Sequence, residues 1–481
     1  MEKTVEYCKK KFYIIYSLIG FFGVAVWVSL MWSKSIWFDE AYSFGMISRT
    51  YSDICKIAAA DVHPPLYYLS LKLITSIFTN KLVAAKIYSI VPYIVILMFG
   101  GYQLRKLINE KTSIAFMIVF LTYPYMLSYA VEIRMYSVAA MFVFINAVYA
   151  YKCWFTSNKK DWCMLILSGV GAAYTHYFAF VTVIINYGFL FLSILITKKK
   201  IMWLWICSVI VSIIMFSPWI GTFISQLADK AENEYWIGPI TVYSLKVYFT
   251  QLFGANGFPQ WKYIIIVTYI GLFIGFIFNK KREHILLGLM SAMVPMLTIA
   301  LGLIVSILIR PVFVMRYAIP AIPLLFVFVA LALDKIDHVI MIIGFGLIVL
   351  SGFVPNYISQ WNTEYNITHN EINEEFIDQM GDFDCVYTSM ENNEQMFSCI
   401  MALYCPSKTV YRTERFDPVM LPFENLKMTD QFDESKNERI LLIISAEKEV
   451  PSVFKNTYYA DYKTTVNTQD TDGDVYILTH K

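Results

Sequence analysis

A chain that repeats apolar stretches of about 20 residues has few ways to fold, because each stretch is long enough to cross the hydrocarbon core of a bilayer as a helix. Such stretches lie near residues 12–32, 82–103, 112–131, 135–154, 162–176, 178–197, 201–219, 262–279, 285–308, 315–333 and 338–354. Inside lipid the backbone must satisfy its own hydrogen bonds, so the expected product is a polytopic α-helical membrane protein. Composition agrees: 57% of residues are hydrophobic and 16% are charged, where soluble domains carry about 25% charged residues. The aromatic share of 17% fits as well, since Tyr and Trp favour the membrane–water interface. No small-residue cleavage site follows the first stretch, which therefore reads as a span and not as a removable leader.

Basic clusters punctuate the pattern at Lys9–Lys11, Arg105–Lys106 with Lys111, Lys159–Lys160, Lys198–Lys200 and Lys280–Arg282. Each falls at the N-terminus or in an even-numbered gap between spans. The positive-inside rule places all of them in the cytoplasm, with the N-terminus. The segment Leu66–Phe78 is too short to be a further span, and counting it would turn the later basic clusters outward. Its apolar residues Leu66, Leu69, Leu73 and Ile77 share one helical face, and Pro64–Pro65 precede it, so it reads as an interfacial helix.

Charge divides the chain. Residues 1–354 hold 29 Lys/Arg against 15 Asp/Glu, whereas residues 355–481 hold 10 against 22. The first part is the expected membrane domain, with residues 33–81 as a long first extracytoplasmic loop. The acidic remainder alternates strand-like and helical runs at 384–388, 393–404, 409–412, 439–445 and 474–479, the mark of a small extracytoplasmic α/β domain. Of the eight cysteines, Cys385, Cys399 and Cys405 fall in that tail, where a disulfide and buried free thiols are both open. Cys-x-x-Cys metal signatures and Gly-rich nucleotide loops are absent, and nothing calls for a nucleic-acid partner.

Residues suited to chemistry gather on the outer side of this topology. The first loop contains Trp37-Phe38-Asp39-Glu40-Ala41-Tyr42 and Asp61-Val62-His63-Pro64-Pro65-Leu66-Tyr67-Tyr68. Aromatic neighbours would desolvate Asp39 and suit it to act as a base, although solvated loop charges are the plainer explanation. The short loop Glu132-Ile133-Arg134-Met135-Tyr136 carries opposite charges, either an ion pair closing a hairpin or an arginine facing a polar headgroup. Thr175-His176-Tyr177 sits on the next outer turn, where an interfacial histidine is the ordinary reading. Arg310 and Arg316 run against the positive-inside bias, and a guanidinium fork suits the phosphate of a lipid. Coupled transporters instead place charges at mid-membrane, and the span centres here are nearly free of them.

The ordered set Phe38-Asp39-Glu40-Ala41, Asp61-x-His63-Pro64-Pro65-Leu66-Tyr67-Tyr68, Glu132-x-Arg134-Met135-Tyr136-Ser137, Tyr174-Thr175-His176-Tyr177-Phe178 and Arg316-Tyr317 with Pro320 and Pro323 resembles bacterial family-39 glycosyltransferases. These are relatives of the protein O-mannosyltransferases and the lipid A aminoarabinose transferases, of the GT-C fold. The resemblance covers residues 12–335. It implies transfer of a sugar from a polyprenyl-phosphate carrier to an acceptor at the outer face of the cell membrane, by direct displacement with inversion. Asp39 matches the family's catalytic acidic residue as general base, with Glu40 and Asp61 beside it. Arg134, Arg316 and Tyr317 match donor-phosphate positions, and His63, Glu132 and His176 match substrate-contacting ones. Asp39, Asp61 and His63 also form a conceivable ligand set for a divalent cation (Mg, Mn or Zn), while two arginines could neutralise the phosphate without one. The acceptor stays open between protein, wall polymer and lipid. A lipid-linked glycan ligase, and a flippase or transporter without covalent chemistry, are the competing readings. The expectation is that these outer residues converge on one pocket at the membrane surface.

Overall fold

A computed structural model describes residues 2–32, 36–197, 200–229, 237–252, 282–334, 353–365, 371–391, 393–413, 422–468 and 471–481. Packing divides the chain into two units, Met1–Met31 with Leu82–Gln360, and Trp32–Lys81 with Trp361–Lys481. The first loop thus packs with the C-terminal domain.

In the first unit, apolar runs become the helices α1 (Glu2–Leu30), α5 (Lys81–Leu107), α8 (Tyr136–Phe155), α10 (Tyr177–Ile196), α11 (Met202–Asp229) and α13 (Arg282–Leu308). All six are long and apolar enough to cross a membrane. The stretch 112–131 breaks into α6 (Glu110–Thr122) and α7 (Tyr125–Val131), bent by 67° and counting as a seventh span if taken together. The cause is Pro124, which has no amide hydrogen to give the ladder and forces extended backbone on Tyr123 (ψ 128°). The stretches 162–176 and 315–333 give the shorter helices α9 (Lys159–Ala173, 15 residues) and α14 (Ile322–Leu333, 12 residues). At 1.5 Å per residue α14 is about 18 Å long, short of a full crossing. A 3-10 turn, Met315–Ala318, precedes it, and α12 (Val242–Leu252) follows the described end of α11. The candidate spans 262–279 and, up to residue 352, 338–354 lie outside the described residues.

The bundle is packed by aromatic rings and a few buried polar bonds. Trp27 of α1 packs edge-on against Phe120 and donates its indole N–H to the Met126 carbonyl at 2.7 Å. Phe120 and Phe144 each stack on Phe116. Asn146 donates to the Leu165 carbonyl at 2.9 Å and accepts from Asn186 at 3.3 Å, so one amide ties three helices. Buried amides hold helices together where lipid offers no competing partner.

In the second unit the loop folds as three helices, α2 (Phe38–Ser48), α3 (Tyr51–Ala60) and α4 (Leu66–Thr75). The segment after Pro64–Pro65 is indeed a short helix, with Leu73 and Ile77 exposed beside it. The C-terminal domain is a six-stranded sheet of order β3-β2-β1-β4-β6-β5. Its strands are β1 (Cys385–Ser389), β2 (Thr409–Arg412), β3 (Leu426–Met428), β4 (Arg439–Ser445), β5 (Tyr458–Thr468) and β6 (Thr471–His480). The β3-β2-β1-β4 half is parallel and β4-β6-β5 antiparallel. Strands β1 and β4 are almost continuously buried, as expected of parallel strands covered on both faces. Helix α15 (Val354–Tyr365) spans the change from the first unit to the second, and α16 (Glu374–Met380), α17 (Glu394–Tyr404), the short α18 (Ser452–Lys455) and 3-10 turns at Thr429–Gln431 and Glu434–Lys436 complete the described elements.

Glu394, buried in the first turn of α17, accepts from the Thr413 amide at 2.8 Å and from the Thr388 and Thr413 hydroxyls at 3.2 and 2.9 Å. This locks the helix to the ends of β1 and β2. Cys385, Cys399 and Cys405 are free thiols, all buried. Burial pushes Cys385 and Cys399 up to about 12 and Cys405 up to about 11. Because the thiolate is the nucleophile, these groups are unreactive at pH 8. Iodoacetamide at pH 8 should leave all three unmodified in the folded protein and modify them after denaturation, read by peptide mass spectrometry. Labelling of any of them within minutes in the folded state would show that the sheet domain opens.

Candidate functional site

The candidate residues fall into one cluster in each unit. In the second unit, Asp39 and Glu40 occupy the first turn of α2, where unpaired amides and the helix dipole favour carboxylates. Glu40 is buried, and its carboxylate accepts the Trp37 amide at 3.4 Å. Asp39 is partly buried. One turn on, the Tyr42 hydroxyl donates to Asp61 at 3.2 Å, and Asp61 also lies 3.2 Å from Nδ1 of His63. A carboxylate held by a phenol and facing Nδ1 fixes the ring and, in the tautomer with the proton on Nδ1, puts the lone pair on Nε2. The buried rings of Tyr67 and Tyr68 back this arrangement, Tyr68 lying 6.3 Å from the Tyr42 ring. The His-Pro-Pro sequence has a local reason too, since Pro65 caps α4 and turns the chain after His63.

The suggested metal set is not assembled. Asp61 and His63 meet, but among the described residues no three His, Cys, Asp or Glu side chains come together as a metal-holding group. Asp39 therefore does not complete a ligand triad with them.

In the membrane unit, Glu132 and Arg134 share the turn between α7 and α8, where the Arg134 amide donates to the Glu132 carbonyl at 2.8 Å. Arg134 is only 5% exposed. His176 is buried as well and caps α10, its Nδ1 accepting the Phe178 amide at 3.2 Å. Its ring centre lies 5.7 Å from that of Tyr136 and 5.2 Å from that of Tyr317. Tyr129 stands 5.4 Å from Tyr136 and within Coulombic reach of both Glu132 and Arg316. Glu132, His176, Arg316 and Tyr317 thus gather around Tyr129 and Tyr136, with Arg134 in the adjoining turn between α7 and α8. A guanidinium in such low-dielectric surroundings attracts a phosphate far more strongly than one in water.

Reading the sequence missed three residues here. Tyr129 sits within an ordinary aromatic run. Tyr93 of α5 is fully buried and within Coulombic reach of Glu132. Lys86, on the same face of α5, is a buried lysine, although a lysine near the start of a span normally reads as a cation reaching for the interface. In the other unit the residue missed is Tyr404 of α17, whose hydroxyl is pushed up to about 12 by burial and then by the carboxylates of Glu374 and Glu40.

A bundle of membrane-length helices joined to a helical first loop and a terminal α/β sheet is the architecture of a polytopic membrane protein. The chain is similar in structure to ArnT from Cupriavidus metallidurans bound to undecaprenyl phosphate, with a TM-score of 0.62 at 12% identity, over 96% of this chain and 97% of that one. The apo state of the same protein matches with a TM-score of 0.62 at 11% identity. The Archaeoglobus fulgidus oligosaccharyltransferase, in complex with Zn and sulfate, gives a TM-score of 0.45 at 10% identity, over 82% of this chain and 62% of that one. No family model matches the sequence, and no curated protein does. At such identities what the chain shares with ArnT is the fold.

His176 has a structural task whatever else it does. Replacing a helix-capping acceptor by alanine costs about 1 kcal/mol. His176→Ala should lower the melting temperature of the detergent-solubilised protein, and His176→Asn should restore most of the loss. Equal melting temperatures for His176→Ala and the unaltered protein would remove the capping role.

Proposed function

We propose that this chain is a membrane glycosyltransferase that moves a sugar from a polyprenyl-phosphate carrier to an acceptor, with inversion at the anomeric carbon. The observation that carries the proposal is the buried Arg134 beside Glu132, at the start of the helix whose Tyr136 packs on His176, itself packed on Tyr317, in a fold shared with a protein that binds undecaprenyl phosphate. The basic clusters between spans support a cytoplasmic N-terminus and an extracytoplasmic C-terminal domain. The reaction then takes place at the outer face of the membrane.

Each residue has a defined task in this reaction. Asp39 accepts the proton of the acceptor hydroxyl as its oxygen forms the new bond to the anomeric carbon. The bond from that carbon to the carrier phosphate breaks, and the phosphate oxygen leaves with the electron pair. Arg134 and Arg316 bind the phosphate and stabilise the charge that grows on it. Tyr317 and His176 wall the donor, Glu132 orients Arg134, and Asp61 orients His63 toward substrate. The reaction needs no metal in this scheme, since two guanidiniums neutralise the leaving group.

The test is purified full-length protein in lipid vesicles supplied with a panel of polyprenyl-phosphate sugars, with release of polyprenyl phosphate as the readout. A positioned base is worth about 10²–10⁴ in rate, so Asp39→Asn and Asp39→Ala should each lose at least about a hundredfold. Arg134→Ala and Arg316→Ala should each lose about 10²–10³, the worth of one charge-stabilising donor. Undiminished release by the Asp39 variants overturns the base assignment. Turnover of diphosphate-linked glycans alone would make the protein a ligase, and movement of donor without release would make it a flippase.

A further inference from the structure

The C-terminal domain has no task in the reaction as described, yet it grips the helix that carries Asp39 and Glu40. We infer that this domain is the positioning element for α2, acting through a seam of Gly45 and Arg49 on the helix side and Pro422 and Phe423 on the domain side. The inference rests on the reading of Asp39 as the base.

Arg49 immediately follows α2. Its Nε donates to the Pro422 carbonyl at 3.0 Å and its Nη2 to the Phe423 carbonyl at 3.1 Å. Its Nη1 lies 3.4 Å from the carboxylate of Glu424. Two carbonyls and a carboxylate on one planar fork fix orientation in a way that a flexible ammonium cannot. The Glu424 contact adds little, because that side chain is 72% exposed. One turn back, Gly45 admits the domain's side chains: a Cβ there would lie 2.7 Å from both Phe423 Cε2 and Pro422 Cβ. At the other end of α2, Glu40 is within Coulombic reach of Tyr404, the last residue of α17. From within the loop, Lys72 of α4 donates to the Ile47 carbonyl at 2.8 Å.

These contacts matter because α2 has 11 residues, too few to hold a helix in isolation. Its direction, and with it the aim of Asp39, is set by what it packs against. The partners that set it lie more than 370 residues further along the chain. Arg49 and Gly45 are therefore positioning residues: they touch no substrate, and their loss changes how often Asp39 stands in the productive geometry.

Two readouts on the full-length protein in lipid vesicles test this. Hydrogen exchange of the amides at 38–48 should speed up about tenfold or more in Arg49→Ala and in Gly45→Val, with the membrane helices protected as before. In the polyprenyl-phosphate release assay kcat should fall about tenfold or more while the donor KM moves less than about twofold, as expected when geometry and not binding is lost. Arg49→Lys should recover part of the loss, and Glu424→Gln should behave like the unaltered protein. Should Gly45→Val fail to fold, Gly45→Ala takes its place with a smaller shift in the same direction. Unchanged exchange at 38–48, or faster exchange with full kcat, overturns the inference. If the unaltered protein releases no polyprenyl phosphate from any donor, the glycosyltransferase reading fails by itself, and the exchange result alone decides whether the domain orders α2.

Discussion

The break at Pro124 governs the architecture of the membrane unit. A continuous helix from Glu110 to Val131 would carry the chain straight on, but the missing amide hydrogen turns it through 67°. The short α7 that results is pinned by the Trp27 indole on the Met126 carbonyl. It delivers Glu132 and Arg134 to a turn whose walls are Tyr129, Tyr136 and His176. Placing a charged turn among buried rings is costly unless the charges find partners. A bent and firmly packed support is what keeps the arginine in place.

Much of this organisation is written locally in the chain, and some of it is not. Long apolar runs announce their helices, and the unbroken Ile440-Leu441-Leu442-Ile443-Ile444 run announces a strand buried on both faces. Strand β5 gives no such signal, because Tyr459–Lys463 is exposed along an edge and is a strand only through its pairing with β6. The helical nature of 66–75 was legible from one apolar stripe after two prolines, whereas α2 and α3 are masked by mixed polarity. His176 illustrates the limit within the site. Its position at a span end is plain in the sequence, but its capping of α10 depends on a ring rotamer that no spacing reveals.

Burial is the other quantity the chain conceals. Lys86 and Glu394 look like surface charges in the sequence and are enclosed in the structure. Around Glu394 the enclosing groups come from the ends of two strands, and only the completed sheet brings them together. Glu394 shows how this is tolerated: hydroxyls and an amide from two strands surround its carboxylate, exchanging water for fixed donors of similar strength.

The seam between α2 and the sheet domain has a consequence for how this molecule can change over time. A domain at the end of a chain is ordinarily a detachable cassette, free to be traded for another by a single recombination. Here the cassette's outline includes residues near the other terminus, since Gly45 and Arg49 are shaped to Pro422 and Phe423. A tail borrowed from another protein would arrive without its socket. The two segments form one heritable unit, and a functional chimera has to exchange both together.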